Sequence, residues 1–122
     1  MKKSHSMDYV CSVDYAFKRI GGKYKGRIIW YIHNFDNTLR YGELKRKLEN
    51  ITPKMLTQAL RELEADGLVH RKVYHEVPPK VEYSLTDTGQ ELVPFIRHLK
   101  DWADAQIEKV KSSDVAEYDG RQ

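Results

Sequence analysis

Cysteine is nearly missing from this sequence: Cys11 is the only one in 122 residues. No disulfide can close within the chain, and a reducing, cytoplasmic setting is expected. Long apolar runs are missing too. None approaches the roughly 20 residues needed to span a bilayer. The basic start, Met1-Lys2-Lys3-Ser4-His5-Ser6, leads into no hydrophobic segment, so neither a secretory signal nor a membrane partner is expected. Internal repeats, low-complexity tracts and a linker between domains are also absent, which leaves one domain.

The signatures of catalysis are absent as well. The five histidines, His5, His33, His70, His75 and His98, form no metal-ligand spacing with each other or with Cys11. There is no Gly-x-Ser-x-Gly elbow and no phosphate-cradling glycine loop. Gly21-Gly22 lacks the third glycine and the preceding strand of a dinucleotide fold. The acidic residues are interspersed with basic ones at helical spacing, the pattern of ordinary surface pairing. No metal, no cofactor and no catalytic residue are expected, and nothing argues for an enzyme.

What is present is a globular composition, 40% hydrophobic, with a mild positive balance of +3. That balance is compatible with nucleic acid, but the placement of the basic residues says more than their sum. The stretch from Thr52 to Gly67 reads as one helix with marked ends. Thr52 suits the N-cap, Pro53 the first helical position and Gly67 a left-handed stop. Leu56, Ala59, Leu60 and Leu63 make one apolar stripe. Opposite them stand Lys54, Thr57, Gln58 and Arg61, whose donors suit phosphate oxygens and base edges in a DNA major groove. Alone, such a face reads more readily as solvated surface. The acidic C-terminal half, Glu62 to Asp66, is expected to point away from the duplex.

The neighbouring stretches change that weighting. Residues 1–10 are polar and expected to be flexible. Helices are expected over Ser12 to Ile20, with Val13, Ala16, Phe17 and Ile20 on one side, and over Tyr24 to Phe35. Gly42 to Leu48 makes a third, short helix with Leu44 and Leu48 on its inner face, and Thr38 to Tyr41 a short extended piece. Two short helices around the turn Glu49-Asn50-Ile51 make a helix-turn-helix, with the Thr52 helix in the reading position. Leu68 to Tyr74 and Val81 to Leu85 favour strands around His75 to Lys80, where Pro78 and Pro79 enforce a loop. That hairpin is the layout of a wing, and Arg71, Lys72 and Lys80 give it positive charge.

A last helix is expected to open at Thr86 or Asp87 and to run for about six or seven turns. Leu92, Phe95, Ile96, Leu99, Trp102, Ala103, Ile107 and Val110 recur along it at three-and-four spacing. So long a stripe outruns the core of so small a domain, and the economical partner is the same helix of a second subunit. Residues 112–122 are polar and expected to be a flexible tail. Cys11 stands directly before a helix, where the positive end of the helix dipole favours thiolate. A buried, inert cysteine is the other reading.

Four stretches together carry a resemblance. They are Ile20-Gly21-Gly22-Lys23-Tyr24-Lys25; Lys54-Met55-Leu56-Thr57-Gln58; Leu60 to Val69; and Glu76-Val77-Pro78-Pro79-Lys80-Val81-Glu82-Tyr83-Ser84-Leu85-Thr86. From Cys11 to about Trp102 the chain resembles the HxlR-type winged-helix transcription regulators, a bacterial and archaeal group related to the MarR-like regulators. The resemblance implies a homodimer built through terminal helices and bound to a pseudo-palindromic operator. By position it implies that Lys54, Thr57, Gln58 and Arg61 face DNA, with Lys80 on the wing. Several relatives sense oxidants or electrophiles through a cysteine placed like Cys11. This chain departs from many relatives in having Ser12 for proline, Tyr24 for tryptophan and His75 for proline. With one cysteine per chain, a Cys11–Cys11 link between subunits or a small-thiol adduct remains open, and pairing of two different cysteines does not.

The expectation is therefore an α+β, mostly α, winged helix-turn-helix with a two-stranded β-hairpin wing. One domain over residues 11–111 would include the dimerisation helix that carries Leu92, Phe95, Ile96, Leu99, Trp102 and Ala103. The partners would be double-stranded DNA, a second copy of the chain and an oxidant or electrophile at Cys11. The function would be sequence-specific regulation, as a repressor rather than an activator. The rival reading is a winged-helix protein-interaction module that never touches DNA. It would require apolar anchors on the 54–61 face.

Overall fold

Leu56, Ala59, Leu60 and Leu63 recur at intervals of three and four, so a helix through them must bury one side. The computed structural model, which describes residues 10–114, shows that burial and builds the rest of the domain around it. In chain order the elements are α1 (Ser12–Ile20), α2 (Lys25–Asn34), β1 (Leu39–Arg40), α3 (Tyr41–Lys47), α4 (Pro53–Ala65), β2 (Val69–Tyr74), β3 (Lys80–Leu85), α5 (Asp87–Glu91) and α6 (Val93–Asp114). They fall into two units, one running to Glu91 and the other starting at Leu92.

In the first unit, Ile28, Ile29 and Ile32 of α2 are fully buried together with Leu44, Leu48, Leu56 and Leu63. Helix α4 has the ends its sequence calls for. The Thr52 hydroxyl accepts from the Met55 N–H at 3.1 Å, Pro53 opens the first turn, and Gly67 closes the helix with φ +75°. The turn between α3 and α4 passes through left-handed Glu49 and Asn50. That conformation suits asparagine, whose short polar side chain lowers its cost. Helix α3 begins one residue earlier than expected, and the Arg40 N–H donates to Glu43 Oε1 at 2.8 Å across its first turn.

The wing pairs β2 and β3 in antiparallel register, Val69 opposite Leu85 and Tyr74 opposite Lys80. A third strand is present as well. The extended piece before α3, β1, adds to the far side of β3, giving the order β1-β3-β2. Asn37 closes that edge, its Oδ1 accepting from the Leu85 N–H at 3.1 Å. Gly89 in α5 lies so close to the start of β2 that a Cβ there would collide with the Leu68 carbonyl oxygen.

The stretch from Thr86 onward differs from the single helix expected. It is broken at Leu92 into α5 and α6. Pro94 explains the break, because it has no N–H to donate to the Gln90 carbonyl and its ring crowds that carbonyl. The helix restarts with the Phe95 and Ile96 N–H groups both donating to the Leu92 carbonyl, at 3.1 and 3.0 Å. Helix α6 continues to Asp114, past the Ser112 where a tail was expected to begin. The flexible segments expected at residues 1–9 and 115–122 lie outside the described residues. No helix among the described residues is long and apolar enough to cross a membrane.

Candidate nucleic-acid interface

Lys54, Thr57, Gln58 and Arg61 share one face of α4, opposite its buried stripe. Lys54, Gln58 and Arg61 are exposed and Thr57 is half-buried. Their polar contacts within the chain differ. Lys54 and Arg61 have no intramolecular partner among the described residues, so their charges are open to an anion. The Thr57 hydroxyl lies 3.4 Å from the Tyr41 hydroxyl, which also donates to the Pro53 carbonyl at 3.3 Å. Tyr41 thereby ties α3 to the first turn of α4, a role its place at the start of a short helix did not announce.

Gln58 is held more firmly. Its Nε2 donates to Glu62 Oε2 at 2.6 Å, and the other oxygen of Glu62 pairs with Lys25 Nζ at 3.1 Å. The Gln58 and Lys25 hydrogen bonds hold the Glu62 carboxyl below its ordinary range, against a smaller opposing effect of burial. Glu62 is thus tied to Gln58 on the outer face, whereas the acidic run Glu62 to Asp66 was expected to point away from the duplex. Lys25 comes from a different helix, and no local spacing could have revealed the pair.

Grooves flank α4 on two sides. One, of about 710 Å³, lies between the turn Gly21 to Lys25 and the α4 residues Lys54, Met55, Gln58, Ala59 and Glu62. The other, of about 320 Å³, is lined by Thr57, Leu60, Arg61, Glu64, Arg71 and Tyr83. The second is lined by Arg71 of the wing as well as by Arg61, although the sequence marked Arg71 only as one of several hairpin charges. Lys80 is placed differently. It is half-buried, 3.7 Å from Glu82 Oε2, with its ammonium 4.3 Å from the centre of the Tyr74 ring.

Cys11 is exposed and is the N-cap residue of α1, with extended backbone. Its carbonyl accepts from the Tyr15 N–H at 2.9 Å, and its side chain makes no capping bond. The buried reading of this cysteine is set aside. Helix α1 buries none of its residues; Val13 and Phe17, which share one side of it, are exposed. In the second unit, Phe95, Leu99, Trp102 and Ile107 of α6 are exposed, and Leu92, Ile96 and Ala103 are half-buried. Among the described residues no group of His, Cys, Asp and Glu is placed to hold a metal ion.

A helix-turn-helix followed by a hairpin wing, with a cationic outer face on its second helix, defines a winged-helix DNA-binding domain. Residues 19–111 match the model of the HxlR-like helix-turn-helix family, and the chain belongs to that family. It is a family of transcriptional regulators, not of enzymes. The chain is similar to the HTH-type transcriptional regulator YybR of Bacillus subtilis, with 48% identity over 84% of this chain and 80% of that one. Among solved structures it is similar to the redox regulator HypR. In the oxidised form the identity is 48%, over 78% of this chain and 96% of that one, with a TM-score of 0.73. In the reduced form the values are 45%, 84%, 99% and 0.76. It is also similar to reduced YodB of B. subtilis, 34% identical over 78% of this chain and 92% of that one, with a TM-score of 0.67.

Proposed function

We propose that this regulator acts as a homodimeric repressor in the cytoplasm, covering a promoter by binding a pseudo-palindromic operator. Each α4 enters a major groove through Lys54, Thr57, Gln58 and Arg61, with half-site centres about 34–36 Å apart or a multiple of that. The observation that carries this reading is that Lys54 and Arg61 are exposed on the outer face of α4 and have no intramolecular partner among the described residues. Arg71, which lines one groove with Arg61, extends the same cationic surface onto the wing. The 54–61 face lacks the row of apolar anchors that a protein-docking helix requires; Met55 is its one exposed apolar side chain. Lys80 is a secondary contact, since Glu82 and Tyr74 already hold its ammonium.

Dimerisation falls to α6 and the turn before it, through Leu92, Phe95, Ile96, Leu99, Trp102 and Ala103. The exposure of Phe95, Leu99 and Trp102 supports this, since large side chains left in water are the ones a second copy would cover. Cys11 serves as the sensor of an oxidant or electrophile. Its exposure and its place at the first turn of α1 support that role, as does similarity to a redox regulator solved in both oxidised and reduced forms. Oxidation would join two Cys11 thiols across the dimer or cap each with a small thiol.

Titration of a promoter fragment at fixed salt tests the DNA-binding face. Arg61→Ala is expected to weaken binding by about 1–3 kcal/mol. An unchanged affinity would remove α4 from the interface. Cys11→Ser tests the sensor: it is expected to bind DNA as the native protein does and to stay bound under oxidant. Release of the serine variant by oxidant would place the sensor elsewhere.

A further inference from the structure

The hydrogen bonds around Gln58 say more than that it faces outward. A carboxylate only accepts, so the end of the Gln58 amide that meets Glu62 Oε2 at 2.6 Å must be the nitrogen. Glu62 is itself fixed. Its second oxygen meets Lys25 Nζ at 3.1 Å, and the same ammonium donates to the Lys18 carbonyl at 2.7 Å. The Lys25 side chain is only 16% exposed, so the anchor of this chain of contacts is largely enclosed while Gln58 is exposed.

An unrestrained glutamine can rotate its amide and offer either end to a base. Held by Glu62, the amide keeps one N–H and its carbonyl oxygen free, in a set order. Adenine presents N7 as an acceptor beside the N6 amino donor, which matches that order. Guanine presents two acceptors, N7 and O6, so its O6 would face the Gln58 carbonyl oxygen. We infer that Glu62, anchored by Lys25, is a positioning residue that fixes the Gln58 amide and makes it a reader of adenine in each half-site. This inference rests on the reading of α4 as the DNA-facing helix.

The test is selection of bound duplexes from a randomised pool by the intact protein, with sequencing of what is retained. Native protein, Gln58→Ala, Glu62→Ala and Lys25→Met are run in parallel. The native protein is expected to prefer adenine over guanine at one position per half-site by roughly tenfold. Gln58→Ala and Glu62→Ala are both expected to lose that preference while keeping the preferences at other positions. A merely structural role for Glu62 would weaken all positions together. If Gln58→Ala loses the adenine but Glu62→Ala keeps it, the positioning role is overturned and the DNA-facing reading stands. If Gln58→Ala changes no position, Gln58 reads no base and the inference is overturned, while the affinity of Arg61→Ala still reports separately whether α4 faces DNA. Should Glu62→Ala fail to fold, Lys25→Met, which removes the anchor alone, is judged by the same outcomes.

Discussion

Helices α4 and α6 both carry apolar residues at three-and-four spacing. In α4 the stripe is spent within its own unit: Leu56 and Leu63 are 0% exposed and Leu60 2%. In α6 the corresponding side chains stand in water, Phe95 at 65%, Trp102 at 63% and Leu99 at 50%. Equal periodicity therefore carries unequal consequence. A stripe that is covered fixes a helix in the fold and frees its other face for an outside ligand. A stripe that is uncovered makes the apolar side itself the face that awaits a partner.

The largest way to break this comparison is to cut into the covered stripe. Leu60→Ala is expected to destabilise the fold by about 2–5 kcal/mol, read from chemical denaturation, because a cavity would open on the buried side of α4. Trp102→Glu should spare helical content and instead convert dimers to monomers, as measured by sedimentation. A variant that remains dimeric would take α6 out of the proposed interface. Thr52→Ala sharpens the comparison from the other end of α4. It removes the hydroxyl that accepts from Met55 and is expected to cost about 1 kcal/mol in the same denaturation assay.

The smallest effect concerns acidity. The Glu62 carboxyl is depressed in the folded state, so its contribution is complete above the unfolded glutamate value and is lost as pH falls through the lower folded value. The Gln58 side-chain amide resonances should therefore stay constant from neutral pH down to the ordinary glutamate range and shift only below it. A shift centred at or above that range would mean that the Gln58 and Lys25 contacts are not formed in solution.

Much of α4 was legible in the sequence because its signals are local. Thr52, Pro53 and Gly67 mark the ends within one turn of where they act, and four apolar residues mark the buried side. The polar outer face that carries Lys54, Thr57, Gln58 and Arg61 was legible for the same reason. The bounds of α1 were also local, but the fate of its Val13 and Phe17 was not, since periodicity shows that a stripe exists and not what covers it. The two-residue strand β1 is too short to alternate, and it is paired by β3 and closed by Asn37, both distant along the chain. The pairing of Lys25 with Glu62 likewise joins two helices that no spacing rule connects. Pro94 is visible near the start of the last helix, where either a kink or a first-turn placement is tolerable. With the helix already begun at Asp87, it became an interruption instead.

The engagement of Lys80 has a thermodynamic consequence. A protein that neutralises phosphates releases condensed cations from the duplex, and the slope of log affinity against log salt counts the charges newly placed on DNA. Lys54, Arg61 and Arg71 form no ion pair among the described residues and would register in that slope in the proposed complex. Lys80 would arrive already balanced by Glu82, with its ammonium against the Tyr74 ring, and would add little to it. The wing would then contribute shape and position through Lys80 and ionic attraction through Arg71, so two cations of one hairpin would differ in what added salt can remove.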